Sequence, residues 1–542
     1  MTSNWIGPDW FEPRRPEPFE CSIGLLLEGR AAKAPDEPFA VLEDGETLSN
    51  RTVCDAARAM AAQLKRHRVE EGDMVAVWLP NGRVMLAAIF ACSMVGAVAV
   101  QINIAFRGRM LEHALRISGA GVLVAHAELV ERLEGIDTGS LQQVLTAGGT
   151  PDGKGLRIEP LDPHEPLLPA SELATRQPWD LAAIIFTSGT TGPSKGVRVT
   201  CCQLWTLGNA YYGFMSPEDR MLLMGPLFHI GSLGALWGAM ATGASVAVME
   251  TFNAPEFWNI VRRTGATSTM GVFSSFTDLL MKAPARPDDR DHTFRRSLVS
   301  SLNPSLRAFS ERFGVELFAG FSMSETSAVT ISQVNPSKNN SVGCVRKGLQ
   351  VRLVDAHDIE VPLGQTGELV VRSELPWVLN DGYQNNPEGT VAAWRNGWFH
   401  TGDLMYADAD GDLFYVDRLK DAIRRRGENI SSAEVEAEVR AFPPVRDAAA
   451  VGVTAEGDSE DVLVAVCACD GLAIDPAELL EFLQPRMPHY MIPRYVRVLP
   501  ELPLTLTNKV QKSELRAQGV THDTWDREAA GIRIRRQRLS SE

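Results

Sequence analysis

The apolar tetrad Ala183-Ile184-Ile185-Phe186 runs directly into Thr187-Ser188-Gly189-Thr190-Thr191-Gly192-Pro193-Ser194-Lys195-Gly196, and this junction constrains the fold more than any other stretch of the chain. The tetrad reads as a buried-type strand that delivers the polar run to a sheet edge. Glycines let backbone N–H groups close on anionic oxygens, hydroxyls add donors, and one lysine adds charge, a combination suited to a polyphosphate. The spacing is not that of the Walker loop, whose Gly-Lys is followed by Ser or Thr, because here Ser194-Lys195 is followed by Gly196. A flexible linker would need neither the strand before it nor the single lysine inside it.

Strand-like runs at 74–79, 121–124 and 245–249 alternate with helical segments such as 255–263. Such alternation predicts an α/β architecture with largely parallel sheets. No charged residue stands between Arg83 and Arg107, a length that could span a bilayer. Its alanine content, the break at Gly96 and the strand-like residues 97–100 predict a buried helix and a buried parallel strand instead. From Gly343 the texture changes to short strands at 351–354, 367–371 and 412–416, predicting a distorted β-subdomain that closes the large domain. A smaller α+β unit follows a boundary near Asp417, with helices at 433–441 and 476–483 and strands at 448–453 and 462–467.

A chain of 542 residues, 44% hydrophobic and 22% charged, is too long for one core. The net charge of −15 argues against nucleic-acid binding, which demands clustered positive charge. The basic run Arg533 to Arg538 reads as a solvated terminal segment. Eight cysteines include no C-x-x-C spacing, so neither zinc nor redox chemistry is indicated, and residues 1–15 carry no apolar stretch of a secretory signal. The expected location is cytoplasmic, with no transmembrane segment. The cluster from Asp288 to His292 reads as an exposed loop rather than a metal site.

Four further regions follow in order. Gly320-Phe321-Ser322-Met323-Ser324-Glu325-Thr326 sets a ring, hydroxyls and a carboxylate side by side, and Trp398-Phe399-His400-Thr401-Gly402-Asp403 ends on Gly-Asp. Tyr415-Val416-Asp417-Arg418-Leu419-Lys420-Asp421 precedes the basic loop Arg424-Arg425-Arg426-Gly427-Glu428-Asn429, and Pro503-Leu504-Thr505-Leu506-Thr507-Asn508-Lys509-Val510-Gln511-Lys512 lies near the C-terminus. Singly, each has a plain reading as a polar loop, a turn, a solvated charge run or a surface lysine. Together with residues 187–196, and in this order, they resemble the signature elements of the adenylate-forming superfamily, which includes acyl- and aryl-CoA synthetases, luciferases and peptide-synthetase adenylation domains.

The resemblance implies a large N-terminal domain of parallel sheets with helices plus the β-subdomain (1–416), a hinge (417–420) and a small mobile α+β C-terminal domain (421–542). It implies that Thr187, Ser188, Gly189, Thr190, Thr191 and Lys195 hold phosphates. Phe321 would stack on adenine within Gly320, Ser322 and Met323, and Ser324 would meet the α-phosphate. Glu325, with Thr187, would hold Mg²⁺, an ion that favours one or two carboxylates plus phosphate oxygens. Asp403 would accept from the ribose hydroxyls. Arg418 would contact ribose or phosphate, Lys420 would be the pivot, and Arg426 and Gly427 would reach the CoA tunnel. Lys509 is the implied adenylation lysine, a mobile ammonium bridging carboxylate and α-phosphate. Phe321-Ser322 and Ser324 stand where Tyr-Gly and Thr are usual, Asn508 where Gly is usual, and Lys512 where Arg is common.

His229, within Pro226-Leu227-Phe228-His229-Ile230-Gly231-Ser232, fits the position lining the acyl pocket and gating the thiol, with a core histidine as the plain alternative. Gly231, Ser232 and Gly234 hint at a loosely filled pocket and a bulky acyl group. Ser301-Leu302-Asn303, in place of a Gly-Ala-rich adenine segment, is similar to the carnitine/crotonobetaine-CoA ligase branch. The implied activity is an AMP-forming ligase using ATP, Mg²⁺ and coenzyme A to activate a carboxylic acid of open identity, with a homodimer compatible with it. A free-standing acyl-carrier-protein ligase and a non-catalytic nucleotide-binding protein are the alternatives.

Overall fold

The computed structural model describes residues 8–152, 155–187, 194–271, 274–418, 423–425, 428–430, 432–454, 460–503, 510 and 512–534. Two seven-stranded sheets make most of the large unit. In the first, Met74–Trp78 lies between Val122–His126 and Val98–Gln101, all parallel, and Leu181–Thr187 follows parallel to Val98–Gln101. Strands buried on both faces read as continuous apolar runs, which is why 74–79, 121–124 and 183–186 were legible as strands. The uncharged stretch is the buried helix Arg83–Val95, ended by Gly96 at φ +79, and then the interior strand Val98–Gln101. Among the described residues no helix is long and apolar enough to cross a membrane.

The second sheet runs Glu316–Ala319, Arg296–Val299, Ser268–Thr269, Arg220–Leu223, Ser245–Val248, Pro38–Leu42 and Thr47–Ser49, parallel except for its last pair. Helices Cys201–Tyr212 and Ile230–Thr242 join the two sheets, since one core cluster holds Val77 and Ile185 of the first, Leu223 and Val246 of the second, and Leu207 and Leu233 of the helices. Their backbones approach closely: a Cβ on Gly208 would stand 2.6 Å from the Gly238 nitrogen, and one on Gly234 2.5 Å from Leu207 Cδ2. Gly234 therefore serves the helix crossing and leaves no space in a pocket, correcting the expectation from sequence.

The expected β-subdomain is an antiparallel sheet that includes Gly367–Ser373, Trp398–Ala407 and Asp412–Arg418. It is distorted by register shifts between Glu368 and Val370 and between Leu404 and Met405. The smaller unit has a four-stranded sheet whose longest strands, Val445–Thr454 and Glu460–Ala468, are antiparallel. Strand alternation gives this sheet two buried faces. Val462, Val464 and Val466 pack with Val435, Val439 and Leu480 of two helices and with Ile423 and Ile430 of a hairpin, whereas Leu463, Ala465 and Cys467 pack with Leu502 and Leu515, and Val510 lies against that second cluster.

Candidate active site

The polar run following the buried strand is a hairpin connection. Strand Leu181–Thr187 pairs antiparallel with Lys195–Thr200 at the sheet edge, with Thr187 directly opposite Lys195. Both residues line a cavity of ≈ 1930 Å³ that is bounded by the two parallel sheets, the β-subdomain and the small unit. Ser188, Gly189, Thr190 and Thr191 lie outside the described residues.

Glu325 enters this cavity from the segment after strand Glu316–Ala319, buried to 7% exposure. Its backbone carbonyl accepts from both the amide and the side chain of Asn380, at 2.8 and 2.9 Å. Its Oε1 accepts from the Tyr383 hydroxyl at 3.0 Å, and Lys195 Nζ sits 4.5 Å from the centre of the same ring. Tyr383 thus ties the predicted lysine to the predicted carboxylate, and motif reading missed it; a lone aromatic in the turn-rich run 380–386 was its only local sign. Gly320, Phe321, Ser322, Met323 and Ser324 also line the cavity. Phe321 packs against the core of the β-subdomain, leaving the ring partly exposed at the wall, and Ser327 just beyond holds φ +61, an uncommon conformation outside glycine. The Ser324 carbonyl accepts from Gln203 Nε2 at 2.7 Å.

Of the triplet 301–303, Ser301 lines the cavity. Leu302 is buried in the core beneath it, and Asn303 caps helix Pro304–Phe313 by accepting from the Leu306 amide at 2.8 Å. The side chain of Leu302 is therefore used in packing and that of Asn303 in capping. Asp403 is fully buried behind Thr401 and Gly402 of the wall, its amide donating to Thr401 Oγ1 at 3.1 Å, and it pairs across strands with Arg418.

His229 stands before the first turn of helix Ile230–Thr242, its ring half-exposed to the cavity, with Nε2 3.3 Å from Glu428 Oε2. Glu428 belongs to the hairpin Ile423–Arg425 and Glu428–Ile430 of the small unit. Two more contacts reach across. Glu434 Oε1 accepts from the amide and hydroxyl of Ser194 at 2.7 and 2.9 Å, and Asn103 Nδ2 donates to the Tyr490 hydroxyl at 3.0 Å. Burial pushes the Glu434 carboxyl up from 4.5 to about 7, against the two Ser194 hydrogen bonds that favour its charged form. His113 Nε2 is 2.8 Å from the Ser194 carbonyl, so the end of the polyphosphate-type loop is held from both sides.

Within the basic loop, Arg425 is not a solvated charge. Arg425 is 5% exposed, its Nε 2.8 Å from Asp461 Oδ1 and its NH1 donating to the carbonyls of Tyr490 and Ile492. Lys512 Nζ bonds Glu436 at 2.6 Å and Ser432 at 2.8 Å, fastening the last signature to helix Ser432–Arg440. Arg533, itself exposed, and Ile534 line the cavity, so the described start of the basic tail lies beside it. Lys420, Arg426, Gly427 and Lys509 lie outside the described residues. At 288–292, Asp289 pairs with Arg312 at 2.7 Å and His292 stacks on Trp258, and among the described residues no cluster of metal-ligating side chains occurs.

The AMP-binding enzyme family matches residues 27–381, well over half the chain, and the C-terminal domain of the same family matches 434–509. The chain belongs to the AMP-binding enzyme family. Feruloyl-CoA synthase of an Amycolatopsis species is 31% identical to this AMP-binding enzyme over 496 residues, 90% of this chain and 97% of the relative. Crotonobetaine/carnitine–CoA ligase of Salmonella typhi is 29% identical over 471 residues, 83% and 89% of the two chains. Among solved structures, o-succinylbenzoate CoA synthetase of Bacillus subtilis superposes with a TM-score of 0.78 at 25% identity, covering 92% of this chain and 99% of that one. This kinship bears out the expected α/β class with a β-rich C-terminal unit.

Proposed function

We propose that this AMP-binding enzyme is an ATP-dependent carboxylate–CoA ligase that works in two half-reactions. One observation carries the reading: a single cavity is lined by Lys195, Glu325 and Ser324 of the large unit and by Glu428 and Glu434 of the small unit, with His229 between the two sets. A free carboxylate resists nucleophiles because its leaving group would be oxide. In the first step a carboxylate oxygen attacks the α-phosphorus of ATP and pyrophosphate leaves; in the second a thiolate sulfur attacks the acyl carbon and AMP leaves. No protein nucleophile is needed, so catalysis rests on orientation and charge stabilisation.

Lys195 and the Thr187 hydroxyl hold phosphate oxygens, Phe321 offers a ring face to the base, and Ser324 donates to the α-phosphate. Glu325 suits Mg²⁺, being an oxygen donor on the wall of the cavity that Thr187 also lines, and the ion when bound with ATP would neutralise phosphate charge. Lys509 acts in the first step. Leu502 and Val510, on either side of it, pack on the face of the small sheet opposite the one that carries the 423–430 hairpin. In this reading the small unit turns between the two steps, and residues 417–420 between 1–416 and 421–542 are the hinge. The relatives' names, feruloyl-CoA synthase and crotonobetaine/carnitine–CoA ligase, support coenzyme A as the acceptor.

The test is a panel of carboxylic acids scored by pyrophosphate release, with and without coenzyme A. Acid-dependent release, followed by acyl-CoA formation when coenzyme A is added, is the expected result. Release without thioester, coupled to rapid loading of a carrier protein's phosphopantetheine, establishes a carrier-protein ligase instead, and nucleotide binding without any release removes the enzymatic reading.

A further inference from the structure

Next to His229 the cavity wall has a hole that one side chain fills. A Cβ on Gly231 would lie 2.6 Å from Met270 Cε, and a Cβ on Gly225 would lie 2.8 Å from Met270 Sδ. Both distances are shorter than carbon tolerates, so the thioether occupies the space these two glycines leave open. Ser232 Oγ donates to Met270 Sδ at 3.0 Å, and the Tyr212 hydroxyl donates to the Met270 carbonyl at 3.2 Å. The backbone of Met270 is thereby anchored while its side chain, with three rotatable bonds and a polarizable sulfur, adapts to whatever lies against it. Met270 is only partly buried, and its exposed side lines the cavity.

The surroundings of Met270 are neutral. Leu207, Tyr211, Tyr212 and Leu298 line the same cavity, and the Tyr211 hydroxyl is turned away to the Thr330 carbonyl at 3.3 Å. Tyr211 closes on Gly320, where a Cβ would stand 2.7 Å from its ring. Among the described residues the charged groups of the cavity come from the edge hairpin of the first sheet (Lys195), the 320–325 segment (Glu325), the β-subdomain and the small unit, and no carboxylate, lysine or arginine stands in the segments 207–212, 225–232 and 268–271 around Met270. A charged substituent delivered to this apolar end would lose its hydration with no partner in return, a cost of several kcal/mol by order of magnitude.

We propose that Met270, seated between Gly225 and Gly231, is the adjustable floor of an acyl pocket that takes an uncharged, apolar acyl group with an aryl or alkyl terminus. The proposal rests on the carboxylate–CoA ligase reading and adds its substrate class and a specificity-determining residue. Removing the thioether lengthens the pocket, whereas a methyl on Gly231 drives the thioether into it and shortens it.

The test uses acyl sulfamoyl adenosines, inert mimics of an acyl adenylate, with ω-phenylalkanoyl chains of increasing length and one chain ended by trimethylammonium. Binding is measured calorimetrically on the full-length wild type, Met270→Ala and Gly231→Ala, with the melting temperature as the control for folding. The neutral analogues should bind the wild type at least about tenfold more tightly than the cationic one. The preferred chain should grow by about one methylene or more in Met270→Ala and shrink in Gly231→Ala, each step changing affinity by roughly tenfold or more. Equal binding of the cationic analogue, an unchanged length order in folded Met270→Ala, or no binding of any analogue overturns the proposal. If the analogues show the predicted order while no acid supports pyrophosphate release, the floor stands and the ligase reading falls.

Discussion

The two sides of the cavity are built differently. On the large unit each functional side chain sits at the end of a strand or the start of a helix and is fixed by neighbours: Thr187 faces Lys195 in strand register, Gly320 donates to the Val299 carbonyl, and Asn380 and Tyr383 hold Glu325. On the small unit, contacts to the other side run through single polar groups, Glu434 to Ser194, Glu428 to His229 and Tyr490 to Asn103, with Met110 of the large unit against its core. A polar seam of this kind resembles a transient interface more than a core, which supports the proposed turning of the small unit. The two-step reaction proposed above would use that division.

The largest expected effect separates the halves by chemistry. Lys509→Ala should slow adenylation by roughly two to three orders of magnitude, the loss of one charged transition-state donor. Thioester formation from supplied acyl-AMP should survive, because the hairpin beside His229 is untouched. Stopped-flow measurement of each half-reaction decides it, and equal losses in both would mean that the small unit does not alternate.

A second variant asks whether the basic loop belongs to the site or to the small unit's own core. Arg425→Ala leaves Asp461, 3% exposed, without one of its two guanidinium partners, the other being Arg494 at 2.8 Å. Removing one member of a buried pair typically costs about 3–5 kcal/mol. Denaturant unfolding of the full chain should show the small unit melting early. A raised KM for coenzyme A at unchanged stability would place Arg425 at the thiol site instead.

The smallest effect tunes the seam itself. The carboxyl of Glu434 is raised from 4.5 to about 7 in the docked state, so docking is favoured by proton uptake. Its contribution is complete below about 4.5, fades as pH rises and is gone above about 7. A fluorescence distance between labels on the two units should lengthen across that window in the wild type and stay flat in Glu434→Gln. A pH response that persists in the glutamine variant would assign the seam to other groups.

Particular residues show where sequence suffices. The buried strands, the helix after Arg83 and the phosphate-type hairpin were legible because apolar runs, glycines and one lysine act locally. Tyr383 was not, since what places it on Lys195 and Glu325 is the loop after strand Gly367–Ser373, 188 and 58 residues from them in the chain. That Asn303 caps a helix and that Arg425 meets a buried aspartate became visible only in the structure.

The sequence by itself determined the family, the α/β class and the order of the signature elements, because hydrophobic period and short-range backbone chemistry are written residue by residue. Only the tertiary structure decided which side chains point into the cavity, that Met270 fills the space at Gly225 and Gly231, and that Glu434 meets Ser194. Those pairs are 39, 45 and 240 residues apart, and their meeting depends on how sheets, helices and two units pack, which no local pattern encodes.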